Sequence, residues 1–351
     1  MAATIKRVFY FEHLHHAVVE ETLSGRSDVL LQRLDGATPE RETAAVLAAA
    51  HAYLIGSDRN EVPLHLKLDD ALLARMPQLL VVSTHGAGYD TVDLAACTRA
   101  GVAAVNQAGG NAEAVAEHVL AMMLCLAKRI IETDRTMRRQ AGIRRADFTG
   151  HSMRGKTLGI IGFGHVGSRT AALCRGLFDM RVLAYDPYVS AERMGERGVE
   201  KYTALEPLLC QADVVSVSCA LNEETRGMIA APQYALMPKH ALFITTARGG
   251  IHDETALAEA LRAGRLAGAG LDVWDPEPPA PGHALLQLDN VLASPHTAGV
   301  THEARRNVGL ICARQLLDVL DGKRPPRLLN PQVWPAFRAR FERIFGFIPT
   351  G

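Results

Sequence analysis

Arg248, Glu277 and His296 are the side chains whose types and settings could do chemistry together. Arg248 stands in ITTARGG and His296 in SPHTAG, each just beyond a short apolar run that reads as a strand, and Glu277 lies in the Pro-rich stretch DPEPPAPG. Open α/β sheets place ligands outside the carboxyl ends of their strands. A guanidinium is planar and permanently charged, so it can grip a carboxylate and polarise a carbonyl. An imidazole titrates near neutrality. A neighbouring carboxylate favours its charged form, so a His–Glu pair can take a proton from a hydroxyl or return one to a carbonyl. Oxidation of a 2-hydroxy acid sets these tasks and one more, the departure of a hydride. Taken singly, each residue has a plainer reading: a packing histidine, a solvated glutamate, an arginine paired with an acidic neighbour.

The hydride needs an acceptor, and the strongest local motif supplies a place for one. Gly162-Phe163-Gly164-His165-Val166-Gly167 follows the strand-like KTLGII and precedes the helical pattern SRTAALCRGL. The first glycine allows the tight turn, the second lets the backbone approach a pyrophosphate, and the third lets helix pack closely on strand. The pyrophosphate would sit at the helix N-terminus, where free N–H groups favour an anion. A second apolar strand, RVLAYD, ends in Asp186, about twenty residues beyond Gly167, where a carboxylate binds the adenosine ribose hydroxyls. That carboxylate repels the 2′-phosphate of NADP, and Pro187-Tyr188-Val189-Ser190 bring no Arg or Lys to hold one, so the cofactor expected is NAD.

Apolar runs alternating with helical patterns predict βαβ units and parallel sheets. In the first part strands are expected at Val8–Phe11, Ala52–Ile55, Leu79–Ser83 and Ala103–Asn106, with helices at Thr43–Ala50 and Asp69–Ala74. A long amphipathic helix is expected from Asn111 to Ile131. The alternation restarts with strands at Thr157–Ile161, Arg181–Tyr185, Val214–Val217, Ala241–Thr245, Gly268–Leu271 and Val291–Ala293. A last helix, Thr301 to Asp321, precedes a Pro-rich tail, RPPRLLNPQVWP. Two long helices bracketing a middle domain imply a discontinuous outer domain, residues 1–110 and 301–351, with a dinucleotide-binding domain, 111–300, inserted into it.

The composition limits the alternatives. Lys plus Arg and Asp plus Glu number 38 each, so no net charge points to nucleic acid or an anionic membrane. No apolar run approaches the roughly 20 residues of a membrane span. Six scattered cysteines without a Cys-x-x-Cys pair, and an N-terminal stretch unlike a signal peptide, suggest a soluble cytoplasmic protein. His13, His15 and His16 resemble metal ligands, but no Cys or acid is spaced to complete a site, and no metal is expected. Trp274 is read as a packing residue.

The runs VVSTHGAGYDTVD, NQAGGNAEAVAEHVL, LGIIGFGHVGS, TTARGGIHDETALAEALRAGRLAGAGLDVWDPEPP and LLQLDNVLASPHTAG together resemble the D-isomer-specific 2-hydroxyacid dehydrogenases, in the branch similar to phosphoglycerate dehydrogenase. The resemblance is clearest from about Leu79 to Val308. It implies two Rossmann-like domains: a flavodoxin-like, discontinuous substrate domain and an inserted NAD-binding domain with a doubly wound parallel sheet. It makes Arg248 the substrate-binding arginine, Glu277 the acidic partner and His296 the acid/base. It implies that the backbone N–H groups of His85, Gly86 and Ala87 hold the substrate carboxylate, as an amide nest can. Asp272 would meet the nicotinamide carboxamide, His165 and Val166 the pyrophosphate, and Thr225, Thr246, Ala247 and Gly299 would line the cofactor site. A homodimer paired through the cofactor domain and an interdomain hinge are also implied.

The chain departs from the family at Ser218 and Ala220, where His and Pro are usual, at Gln107-Ala108 in place of Thr-Pro, and at Thr245 in place of Asn. Formate oxidation within the same fold is disfavoured by Glu277, since an amide usually stands there. A phosphite-oxidising relative is less strongly disfavoured. An NAD(H)-sensing corepressor of the same fold is the alternative outside catalysis. Without an Arg or Lys cluster near His85, glyoxylate or hydroxypyruvate is expected over 3-phosphoglycerate, and Phe11, Tyr53, Leu54 and Thr84 are expected to read the rest of the substrate.

Overall fold

The computed structural model describes residues 4–57 and 62–350. They form two compact units, Met1–Asn111 with Thr301–Gly351, and Ala112–Val300. Unit 1 holds a five-stranded parallel sheet of β1 (Lys6–Phe11), β2 (Val29–Leu34), β3 (Ala52–Gly56), β4 (Val81–His85) and β5 (Ala103–Val105), in the order β2-β1-β3-β4-β5. This is the flavodoxin-like order. Its central strands are apolar on both faces because helices cover both. Phe9, Tyr53 and Val82 pack to one side and Val8, Leu54 and Val81 to the other, the two-residue alternation of a pleated strand.

Unit 2 holds seven parallel strands: β6 (Thr157–Ile161), β7 (Arg181–Tyr185), β8 (Glu200–Tyr202), β9 (Val214–Val217), β10 (Leu242–Thr245), β11 (Gly268–Leu271) and β12 (Val291–Ala293). Read from its β8 edge, the order β8-β7-β6-β9-β10-β11-β12 is that of a dinucleotide-binding sheet with a seventh strand added. Side chains cap the starts of several helices. Asp253 accepts from the Ala256 N–H ahead of Glu254–Arg262, and Thr301 from the Ala304 N–H ahead of His302–Leu320.

Several local expectations change. β2 and β8 were not expected; both are edge strands whose half-exposed, polar-interrupted sequences (VLLQRL, EKY) lack a buried strand's signature. β4 runs two residues later than expected and so ends on His85. The helix expected to reach Ile131 stops at Ala127, because Arg129 takes a left-handed conformation (φ 54°) and the His151 N–H caps the Ala127 carbonyl at 2.8 Å. A separate helix, Ile130–Arg139, follows. The Pro-rich tail leads into a helix, Trp334–Phe345, that buries Trp334, Phe337 and Phe341. Among the described residues no helix is long and apolar enough to cross a membrane, and no group of three or more His, Cys, Asp or Glu side chains could hold a metal. All six cysteines are free thiols.

Candidate active site

The turn after β6 takes its shape from close approach. Gly162 (φ 93°) faces the Cys219 backbone, where a Cβ would fall 2.5 Å from the nitrogen, and a Cβ on Gly167 would fall 2.1 Å from the Gly162 carbonyl oxygen. A Cβ on Gly164 would meet nothing within 4 Å. The chain therefore closes tightly on itself at the outer glycines and leaves a bare backbone cradle at the middle one, at the start of the helix His165–Phe178. That arrangement fits a dinucleotide's pyrophosphate. His165 is exposed and Val166 half-buried beside it.

Asp186 directly follows β7, and its carboxylate accepts from the Phe163 N–H (2.8 Å) and the Tyr188 N–H (2.9 Å). One carboxylate thus ties the glycine turn to the strand that would hold the ribose. Tyr188 donates its hydroxyl to Glu224 at 2.6 Å, which brings a second acidic group to this edge. Glu224 was not expected, since nothing in its local sequence marks it. Thr225 spends its hydroxyl inside its own turn, donating to the Ala220 carbonyl at 2.6 Å. The Thr246 hydroxyl is buried with no partner among the described residues, and so are those of Ser218 and Thr245. Ala247 is buried next to Arg248, whose Nη1 donates to the Ala247 carbonyl at 2.7 Å.

Three loops of unit 2 converge beyond β10, β11 and β12. The Trp274 N–H donates to Glu277 Oε1 at 2.8 Å, which fixes that carboxylate, and Glu277 Oε2 meets His296 Nδ1 at 2.9 Å. Gly249 lets the Arg248 loop lie against this one, for a Cβ there would be 2.0 Å from the Trp274 carbonyl oxygen. An ionised carboxylate only accepts, so His296 must donate from Nδ1, and its Nε2 is the atom left for a ligand. Burial pulls the Glu277 carboxyl upward, but the His296 bond and charge, the Trp274 N–H and the Arg248 charge outweigh it and hold it below the usual carboxylate range. The bond to Glu277 raises His296 above an ordinary imidazole, against burial and the Arg248 charge. His296 itself is left-handed (φ 56°), a strained conformation for a non-glycine residue.

Asp272 accounts for that conformation. It is fully enclosed, and its carboxylate accepts from the Ser294 hydroxyl (2.6 Å) and the N–H groups of Thr297 (2.8 Å) and Ala298 (2.9 Å). Its carbonyl takes the His296 N–H at 2.7 Å. Asp272 therefore builds the turn that presents His296. His118, which sequence reading missed, supports the same turn through Ser294 Oγ at 3.0 Å, and Trp274, 4% exposed, donates its indole N–H to the Ser294 carbonyl at 3.0 Å. Gly299 follows in the same loop, half-buried.

Unit 1 presents His85, Gly86 and Ala87 at the end of β4. Gln107, fully buried, accepts from the Gly86 N–H at 2.9 Å and donates to Ser83 Oγ at 2.9 Å. The Gly86 amide expected to face a substrate carboxylate is thus already paired, because Gln107 reaches it where the family's shorter threonine would stand. Among the described residues none accepts from the exposed Ala87 N–H. Tyr53 and Leu54, expected near the substrate, belong to the core: Tyr53 is 1% exposed, stacks on Phe9 at 4.3 Å and donates its hydroxyl to the Leu66 carbonyl.

A glycine cradle with its ribose-side carboxylate, and an Arg–Glu–His set on the same sheet edge, define a nicotinamide-dependent oxidoreductase site. Residues 120–298 match the NAD binding domain of the D-isomer specific 2-hydroxyacid dehydrogenases, and the chain belongs to that family. NAD is the cofactor of the matched domain. The chain is 40% identical over 283 residues to the D-3-phosphoglycerate dehydrogenase of Archaeoglobus fulgidus, an alignment covering 80% of this chain and 53% of that protein. This chain therefore spans about half the length of that relative. It is 37% identical over 273 residues to the glyoxylate reductase of Aeropyrum pernix, covering 76% of this chain and 81% of the relative. The D-lactate dehydrogenase of Aquifex aeolicus, solved with NAD and lactic acid, shares the fold at a TM-score of 0.74 and 28% identity, covering 90% of this chain and 96% of that one.

Proposed function

We propose that this chain interconverts a small D-2-hydroxy acid and its 2-oxo acid, of the glyoxylate or hydroxypyruvate type, with His296 as acid/base, Glu277 as its partner and Arg248 as the substrate-binding cation. The observation that carries the reading is the 2.9 Å His296–Glu277 pair, held in the loops beyond β11 and β12 with the Arg248 charge felt by both. NAD, when bound, supplies the hydride donor or acceptor. In reduction, His296 Nε2–H donates its proton to the 2-oxo oxygen as negative charge develops there, and Glu277 keeps the imidazole charged until it does. In oxidation the neutral imidazole takes the hydroxyl proton. Arg248 holds the carboxylate and stabilises charge on the 2-oxygen. Within unit 1, the loop 85–87 is proposed to bind a carboxylate, with the Ala87 N–H its available amide.

The glyoxylate reductases among the relatives support the substrate class. Asp186, with Glu224 close by, favours NAD over NADP, because both repel a 2′-phosphate. A homodimer and a cytoplasmic location complete the proposal. The test is NADH consumption with glyoxylate, hydroxypyruvate, pyruvate, phenylpyruvate and 3-phosphohydroxypyruvate, beside NADPH and a His296→Ala variant. Turnover of a short 2-oxo acid that the variant loses supports the assignment. NADH binding without reduction of any of the five rejects it.

A further inference from the structure

Glu277 rides on a loop with little of its own to hold it. Residues 275–282 include Pro276, Pro278, Pro279 and Pro281, which have no backbone N–H to donate, and most of the loop is exposed. Its two ends meet a second His–carboxylate pair, one that the acid/base chemistry does not use. Glu254, in the first turn of the helix Glu254–Arg262, accepts through Oε1 from the Asp275 N–H at 2.9 Å, and its Oε2 meets His283 Nε2 at 3.0 Å. One carboxylate thus takes hold of the loop where it begins and where it ends. The His283 ring also stands edge-on to that of Trp274, with 5.6 Å between centroids, and the Trp274 N–H is the donor that fixes Glu277 Oε1. His283 Nδ1 accepts from the Leu285 N–H at 3.4 Å, so its Nε2 carries the proton that goes to Glu254.

We propose that Glu254 is a positioning residue for proton transfer: with His283 it pins both ends of the Glu277 loop and so sets the contact between Glu277 and His296. The proposal rests on the reading of Glu277 and His296 as the proton-transfer pair. A hydrogen bond weakens steeply as its length and angle leave the preferred range, so a carboxylate on a loose loop would engage Nδ1 only part of the time. His296 is raised chiefly by that bond, and an intermittent bond raises it less. The clamp is strong because the Glu254 side chain is only 12% exposed. A carboxylate taken out of water is costly unless it is hydrogen-bonded, which favours the pinned loop over an open one. Burial raises Glu254 above the usual carboxylate range even against the Asp275 N–H and His283. The other ionisable groups near it are Asp253, whose side chain accepts from the Ala256 N–H, Asp275, and the Tyr234 phenol of the helix Ala231–Leu236. Those acting on His296 are Glu277, Arg248 and Asp272.

The test follows the pH dependence of NADH-driven reduction in the full chain, with whichever of the five 2-oxo acids is reduced fastest. Reduction needs the His296 imidazolium, so its rate falls as pH rises through the His296 pKa, and a lowered pKa moves that falling limb to lower pH. Glu254→Ala and His283→Ala should each move it by about half a unit or more, a loss of about threefold or more in rate above the limb, with KM for NADH unchanged. His283→Gln, which can still donate to Glu254, should return most of the limb. In a Glu277→Gln background neither alanine substitution should move the limb further, since the charge they act through is already gone. A limb that stays in place in both alanine variants, even with a lowered melting temperature, overturns the proposal. So does a displacement that adds to that of Glu277→Gln, and both results leave the assigned pair standing. If Glu277→Gln itself leaves the limb in place, or no 2-oxo acid is reduced, the assigned pair fails and the proposal falls with it.

Discussion

The carboxyl edges of the two sheets are built from different materials. At the edge of unit 2 the organising groups are charged: His296 on Glu277, Asp186 on two backbone N–H groups, Asp272 on a hydroxyl and two more. At the edge of unit 1 they are neutral amides and hydroxyls: Gln107 between Gly86 and Ser83 and Ser57 on a carbonyl, beside a His85 ring whose pKa burial lowers to about 3. Charged groups hold a proton at a defined energy and can release it, whereas neutral donors and acceptors discriminate shape and hydrogen-bonding pattern. On the function proposed above, proton transfer falls to the charged edge. Its most direct test is His296→Ala, which removes the proton carrier and should lower kcat for reduction by about 10²- to 10⁴-fold. NADH binding, followed by nicotinamide fluorescence, should change little. A loss under tenfold would move the proton transfer elsewhere.

Glu277→Gln sharpens the same contrast by removing charge while keeping shape. His296 is raised chiefly by its bond to Glu277. Reduction needs the imidazolium, so its rate is highest below the His296 pKa and falls as pH rises through it. The amide removes the charge that raised that pKa, so the falling limb should move to lower pH. The oxidation limb, which rises as the imidazole loses its proton, should move the same way. Each unit of displacement costs about tenfold in reduction rate above the limb. A limb that stays in place in Glu277→Gln would mean that Glu277 only positions the ring.

The sequence made the charged edge much more legible than the neutral one. Arg248, Glu277 and His296 sit in loops marked by Gly and Pro beside uninterrupted apolar runs, and the glycine turn and Asp186 have a fixed spacing that reflects one strand–helix–strand unit. Such signals are local. The role of Asp272 was not local: its carboxylate closes a turn more than twenty residues later, and only the fold brings Ser294, Thr297 and Ala298 to it. His118 and Glu224 were hidden for the same reason. The edge strands β2 and β8 escaped because a strand exposed on one side carries polar residues that break the apolar run. Tyr53 and Leu54 were expected to read the rest of the substrate, but a central strand covered on both faces buries them. The helix Trp334–Phe345 was hidden by the prolines ahead of it and by Pro335, which sits in its first turn, where a missing N–H costs nothing.

Asp186→Ala tests whether charge at unit 2 also serves the cofactor. Removing the carboxylate deletes its bonds to Phe163 and Tyr188 along with those it would make to ribose hydroxyls. Hydrogen bonds to a charged group contribute about 1.5–3 kcal/mol, so KM for NADH should rise about ten- to a hundredfold. Discrimination against NADPH should narrow without disappearing, since the Glu224 carboxylate remains nearby. An unchanged ratio of NADH to NADPH use would place the discrimination outside this edge.

The smallest expected effect comes from the neutral edge. Gln107→Leu keeps the volume of a fully buried side chain but leaves the Gly86 N–H without its acceptor and removes the amide that donates to Ser83 Oγ. If both polar groups stay enclosed, the cost is about 1–3 kcal/mol, readable as a lower urea midpoint at an unchanged slope. The effect on KM carries the argument further. Gly86 has φ 140°, a conformation open to glycine and little else, and its amide donates to Gln107. Freed from Gln107, that amide can join Ala87 in gripping a carboxylate, and KM for every 2-oxo acid should fall together even as stability drops. A rise in KM instead would show that Gln107 braces the loop in its binding form, so that this buried amide trades one anion contact for a fixed loop shape.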